Sequence, residues 1–155
     1  MKSKIVQYLP EHAEAIMQDN PRNRELYWCR MEDWGKWIVK WMEAGPAYTL
    51  FIDDIPVMCA GVGILRPGLG EAWMVLSTLF YKYRKECFIA VRDRLEMIIK
   101  GEKLKRVQAL VLTDFPEAEH WLIHLGFENE TPTKRGLRSF GPSGEDMLMF
   151  GRECK

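Results

Sequence analysis

A chain of 155 residues is long enough to bury a core of its own and falls in the usual size range of one domain. Its 47% hydrophobic and 28% charged residues exclude a disordered or fibrous polypeptide. Lys plus Arg balance Asp plus Glu at 22 each, so no overall field draws the chain to nucleic acid or to an anionic membrane.

Residues Met1 to Leu9 lack the basic segment, apolar stretch and cleavage site of a signal peptide. No apolar run is long enough to span a bilayer, so the chain is expected in the cytoplasm with no membrane partner. Ile5 to Leu9 reads as a short strand, and Pro10 suits the first position of a helix to about Gln18, ended by Asn20-Pro21. From Asp33 to Ala44 the residues Trp34, Trp37, Ile38, Trp41 and Met42 recur at helical spacing, with Asp33 as N-cap and Gly45-Pro46 as stop. That tryptophan stripe is either a face packed on the core or a wall turned to a substrate.

Tyr48 to Ile52 and Val57 to Leu65 read as strands joined by a hairpin at Asp53-Asp54, with Pro56 starting the second. Gly61 and Gly63 interrupt that second strand, which suggests a bulge or a close backbone approach. Arg66-Pro67-Gly68 turns the chain into a third strand, Glu71 to Ser77. Apolar positions from Leu79 to Lys100 repeat by threes and fours, predicting the longest helix, ending near Gly101. Arg106 to Leu112 is a β-branched run that reads as a buried central strand. Pro116 opens a helix through Leu125, and Gly126 stands where a left-handed cap is expected. A strand begins at Phe127, and the last, Met147 to Phe150, follows the turn Gly141-Pro142-Ser143-Gly144, so the two form an antiparallel hairpin or a long β-loop. The tail beyond Arg152 is expected to fray.

Cys29, Cys59, Cys87 and Cys154 are scattered without a C-x-x-C pair, the pattern of reduced core thiols rather than of a redox or zinc site. His120 and His124 stand four residues apart on one predicted helix, but no third ligand accompanies them and no metal is expected. Lys134-Arg135 with Arg138, and Lys103, Lys105 and Arg106, make two small basic patches without interleaved aromatics, which argues against nucleic acid.

The element order, the segment Ala118-Glu119-His120-Trp121-Leu122-Ile123-His124-Leu125-Gly126-Phe127 and the strand Glu71-Ala72-Trp73-Met74-Val75 together resemble the GNAT acyltransferases over nearly the whole chain. The Glu-Ala-Trp strand, the Phe115 to Ala118 helix entry and the Gly141 to Gly144 turn are most similar to GNAT-like proteins of tailed bacteriophages. The resemblance implies an α/β (α+β) fold with a central mixed, mostly antiparallel sheet of about six or seven strands flanked by helices. It also implies acetyl-CoA as acyl donor, an amine as acceptor, and an extra pseudo-strand made by the pantetheine arm beside the fourth strand, at Val75 and Ser77.

Three family requirements then fall on this sequence. The pyrophosphate turn R/Q-x-x-G-x-G/A is replaced by Tyr81-Lys82-Tyr83-Arg84-Lys85-Glu86, which has no glycine and offers Lys82, Arg84 and Lys85 as charged substitutes, or as an ordinary solvated helix face. Glu71 matches the base that deprotonates the amine, with Asp114 in reserve. The acid for the departing thiolate, a Tyr in many relatives, falls on Leu122, which can move no proton, leaving Tyr81, Tyr83 or water; the Asn that often begins that helix falls on Phe115. Two functions follow. One is an N-acyltransferase; the other is a scaffold that has lost catalysis and binds phage proteins in virion structure or assembly, in the host cytoplasm or the virion. Either leaves room for a homo-oligomer.

Overall fold

The computed structural model describes residues 1–19, 34–131 and 136–155. Asn20-Pro21, Cys29, the expected cap Asp33 and the pair Lys134-Arg135 lie outside these, as do the side chains of Trp34, Trp37 and Ile38. In chain order the elements are β1 (Ser3–Gln7), α1 (Pro10–Asp19), α2 (Trp34–Ala44), β2 (Ala47–Ile52), β3 (Ile55–Arg66), β4 (Leu69–Leu76), a 3-10 turn (Thr78–Tyr81), α3 (Arg84–Gly101), β5 (Arg106–Leu112), α4 (Pro116–His124), β6 (Glu128–Asn129) and β7 (Met147–Glu153). The strands form one seven-stranded sheet in the order β1-β2-β3-β4-β5-β7-β6. Every pairing is antiparallel except β4 with β5, which the α3 crossover makes parallel. The fold class read from the sequence stands.

Alternation along the strands sends side chains to two cores. Cys59, Trp73 and Val75 meet Tyr8, Ala13, Ile16 and Trp41 under α1 and α2. Val62, Val107, Ala109, Leu148 and Phe150 meet Leu95 and Ile98 of α3 and Leu125 beyond α4. Trp41 is buried and stacks on Trp73 at 4.1 Å, so this member of the tryptophan stripe packs on the core.

The Asp53-Asp54 hairpin forms as expected, both residues with positive φ, and Gly126 takes φ of +90° in the turn after α4. Other expectations change. Pairing runs unbroken through Gly61 and Gly63; the register slips instead at Leu50/Phe51, opposite Pro56, and at Ile64/Arg66. Gly61 serves a close approach, since a Cβ there would stand 2.6 Å from the Ala47 Cβ. The long helix starts at Arg84 rather than Leu79, because Ser77 accepts the Leu79 N–H at 3.1 Å and caps a separate 3-10 turn whose Phe80 is buried against Trp121, 5.1 Å away. β6 has only two residues, so of the two forms expected for its link to β7 the long β-loop is the one found, with one isolated bridge among the described residues, Leu137 to Met147. The tail does not fray at Arg152: β7 reaches Glu153, and the Cys154 N–H donates to the Lys105 carbonyl at 2.8 Å.

Candidate active site

β4 and β5 pair at three positions only, Leu69 with Arg106, Gly70 with Val107 and Glu71 with Gln108. Beyond that rung both strands run on, β4 to Leu76 and β5 to Leu112, without a shared ladder. The β5-facing edge of β4 just past that rung, at Ala72 and Met74, therefore has backbone groups outside the β4–β5 ladder. A cavity of about 230 Å³ opens there, walled by Ala72, Met74 and Leu76 of β4, Ala109 to Leu112 of β5, and Trp121 and Leu122 of α4, with Arg84 at its rim. Its lining is mostly apolar, which suits an extended, largely aliphatic arm rather than an ion.

Each residue singled out in the sequence has a distinct place along this V. Glu71 stands on the last rung, at the closed end, and its Oε1 accepts a hydrogen bond from Gln108 Nε2 at 3.3 Å. Val75 lies past the rung with its side chain fully buried beneath α1, and it pairs with Cys59 in the same hydrogen-bonding phase as Ser77 with Val57, so its backbone is turned to β3 rather than to the gap. Ser77 is also buried; its Oγ is committed to Leu79 N–H and its own N–H to the Val57 carbonyl at 2.9 Å. Lys82, Arg84 and Lys85 are exposed at the open end, where α3 begins. Tyr83, the residue before α3, makes no side-chain cap, and the first helical bond is Cys87 N–H to the Tyr83 carbonyl at 2.9 Å. The N–H groups of Arg84, Lys85 and Glu86 thus have no intrahelical acceptor, the arrangement that binds anions at helix starts. Lys82 lies over the Tyr83 ring at 5.3 Å and Arg84 over the Tyr81 ring at 5.4 Å. Cations therefore cover both tyrosines named as substitute acids.

Asp114 is exposed in the turn after β5, six residues beyond Gln108, on the order of 20 Å from the Glu71 rung. The structure brings Glu71 and Gln108 together and leaves Asp114 at the other end. Leu122 lines the cavity, and Phe115 is buried at the head of α4. Arg106, one member of an expected basic patch, is bound to Glu130 through Nη1 at 2.8 Å and Nη2 at 2.5 Å, which holds the guanidinium above and the carboxyl below their ordinary pKa ranges. His124 Nδ1 lies 2.8 Å from the His120 carbonyl, a bond within α4. Gln108 was missed in the sequence, yet it left a signal: it is the one uncharged polar residue inside the apolar run that forms β5.

No protein-family model matches the sequence, and no curated protein matches it. Solved structures do. A GNAT-family acetyltransferase from Streptococcus pneumoniae aligns with 99% of this chain and 100% of its own at TM-score 0.67 and 14% identity. A ribosomal-protein-S5-alanine acetyltransferase from Vibrio fischeri aligns with 99% and 93% at TM-score 0.70 and 16% identity, and a GNAT-family acetyltransferase from Bacillus anthracis with 99% and 95% at 0.70 and 15%. This chain has the GNAT fold. The likeness spans the splayed pair, α3 and α4 alike, so the cavity lies within the shared architecture. Residue identity this low carries the shape of that architecture and not the chemistry of its side chains.

Proposed function

We propose that the chain is an N-acyltransferase that moves an acetyl group from acetyl-CoA to an amine. The observation that carries this reading is the parting of β4 and β5 after three rungs over an apolar cavity whose open end meets the start of α3. The residues present fit such a donor: the β5-facing backbone of β4 just past the Glu71 rung, at Ala72 and Met74, suits an amide-bearing arm, and the α3 N–H groups with Lys82, Arg84 and Lys85 suit its phosphates, whereas the Ser77 N–H and carbonyl are already bonded to Val57 and Phe80. When bound, the donor supplies a thioester. Side chains take the place of the usual glycines in that turn, and Glu86 in the first turn opposes negative charge, so phosphate binding is weaker than on a bare backbone cradle.

Glu71 is the base in this scheme, accepting a proton from the acceptor amine as the new carbon–nitrogen bond forms and the carbon–sulfur bond breaks. Leu122 gives the leaving thiolate no proton. A thiolate tolerates this better than an alkoxide would, because a thiol's reference pKa is only about 8.5. Asp114, the reserve base, lies on the order of 20 Å from Glu71 and would serve only an amine bound at the open end. Turnover of acetyl-CoA against a panel of polyamines, amino-sugars and peptide N-termini tests the reading. Glu71→Gln is expected to lower kcat by about 100-fold or more, and an unchanged rate would remove Glu71 from the mechanism. Absence of turnover and of acetyl-CoA binding would leave the protein-binding phage scaffold as the alternative.

A further inference from the structure

We infer that Gln108 is a positioning residue that holds the Glu71 carboxylate toward the acceptor, an inference that rests on the acyltransferase reading. The two residues face each other on the last rung that β4 and β5 share, so their side chains leave the sheet on one face. An ionised carboxylate can only accept, so the atom within 3.3 Å of Glu71 Oε1 is the amide nitrogen of Gln108, the donor end of that side chain. Among the described residues, neither side chain makes another hydrogen bond. One oxygen of Glu71 is thus held, and Oε2 is left to take a proton.

The neighbours in the same row sharpen the point. On one side Glu71 pairs with Gly63, and on the other Gln108 pairs with Gly151, so neither outer position presents a side chain of its own. Over Gly151 lies the Glu130 carboxylate, where a Cβ would stand 2.4 Å from Oε1, and Arg106 closes on it with two bonds. The Arg106 guanidinium, two residues from Gln108 on the same strand, is therefore already engaged by Glu130. An arginine or lysine aimed at Glu71 would neutralise it, whereas a neutral amide restrains its direction and leaves its charge for the amine. Orientation alone is a large lever on rate, since misplacement by about 1 Å can cost on the order of 100-fold.

The test combines a binding-free readout with kinetics, using the full chain. In a pH titration of the ¹⁵N-labelled protein, the Gln108 side-chain amide resonances should move as Glu71 protonates, and should stay still in Glu71→Gln. Gln108→Leu should lower kcat by about tenfold or more with the acetyl-CoA KM unchanged, and Gln108→Met, which keeps the length but loses the donor, should do the same. Added to Glu71→Gln, either change should have no further effect, because the residue acts only through Glu71. An amide signal indifferent to Glu71, or a Gln108 defect that adds fully to that of Glu71→Gln, overturns the role while the acyltransferase reading stands on wild-type turnover. A chain that shows the linked titration but transfers no acetyl group overturns both the reading and the role, and leaves only the hydrogen bond.

Discussion

Cys59 and Cys87 have no exposed surface, and burial pushes both thiols up to about 12. Both are free, so the sequence pattern of scattered core thiols matches the described cysteines. The folded state keeps these protons where the unfolded chain, with thiols near 9, gives them up. Stability is therefore full below about pH 9 and declines as pH rises from there toward 12. The unfolding midpoint should fall between pH 8 and pH 10.5, with a shallower fall in Cys59→Ala/Cys87→Ala; equal slopes in both proteins would rule the thiols out as its cause. What the sequence could not display at this scale is pairing across strands. Cys59 Sγ lies 3.4 Å from Thr49 Oγ1, which lies 2.8 Å from His12 Nδ1, a chain across β3, β2 and α1 that exists only once register is set. Gln108 is the same case. Its polarity was visible in the β5 run, but its partner Glu71 sits 37 positions away and becomes a neighbour only through a parallel rung.

At the scale of elements, hydrophobic spacing located α1, α2, α4 and most strands to within a residue or two, because a helix stripe and a strand alternation are local properties. The start of α3 was misread because Leu79, Phe80, Tyr81 and Tyr83 continue an apolar pattern that Ser77 and the buried Phe80 divert into a 3-10 turn. That shift changes the surroundings of the basic residues. Lys82 precedes α3, whereas Arg84 and Lys85 fall in its first turn, where a cation beside uncapped N–H groups is locally unfavourable unless an anion is shared. Replacing Lys82, Arg84 and Lys85 together by Ala should weaken acetyl-CoA binding by about tenfold at low salt. The loss should shrink as ionic strength rises, because these charges are exposed. Isothermal titration at two salt concentrations measures both. If the triple variant binds as tightly as wild type, these residues are a solvated helix face and nothing more.

For the whole molecule, the decisive feature is one parallel pair inside an otherwise antiparallel sheet. Element order already implied it, since β4, α3 and β5 form a crossover unit. Its length of three rungs did not follow from order; in the folded chain Val107 and Ala109 of β5 pack with Leu95 and Ile98 of α3 and Leu125 beyond α4, contacts that no local pattern displays. A gap held open between two halves of a sheet forgoes ladder hydrogen bonds, and a ligand that lies along the free edge restores them in the folded state alone. Such a ligand at 100 times its Kd adds about 2.7 kcal/mol to stability, or roughly five degrees or more in the midpoint for a chain this size. Acetyl-CoA should give that shift, and adenosine diphosphate, which can engage α3 but cannot reach between β4 and β5, should give a clearly smaller one. Equal shifts would assign the stabilisation to the helix start and leave the gap without a ligand. No shift with millimolar acetyl-CoA would mean that side chains in the Tyr81 to Glu86 turn bar the donor, and that the splayed pair persists as inherited architecture rather than as a site.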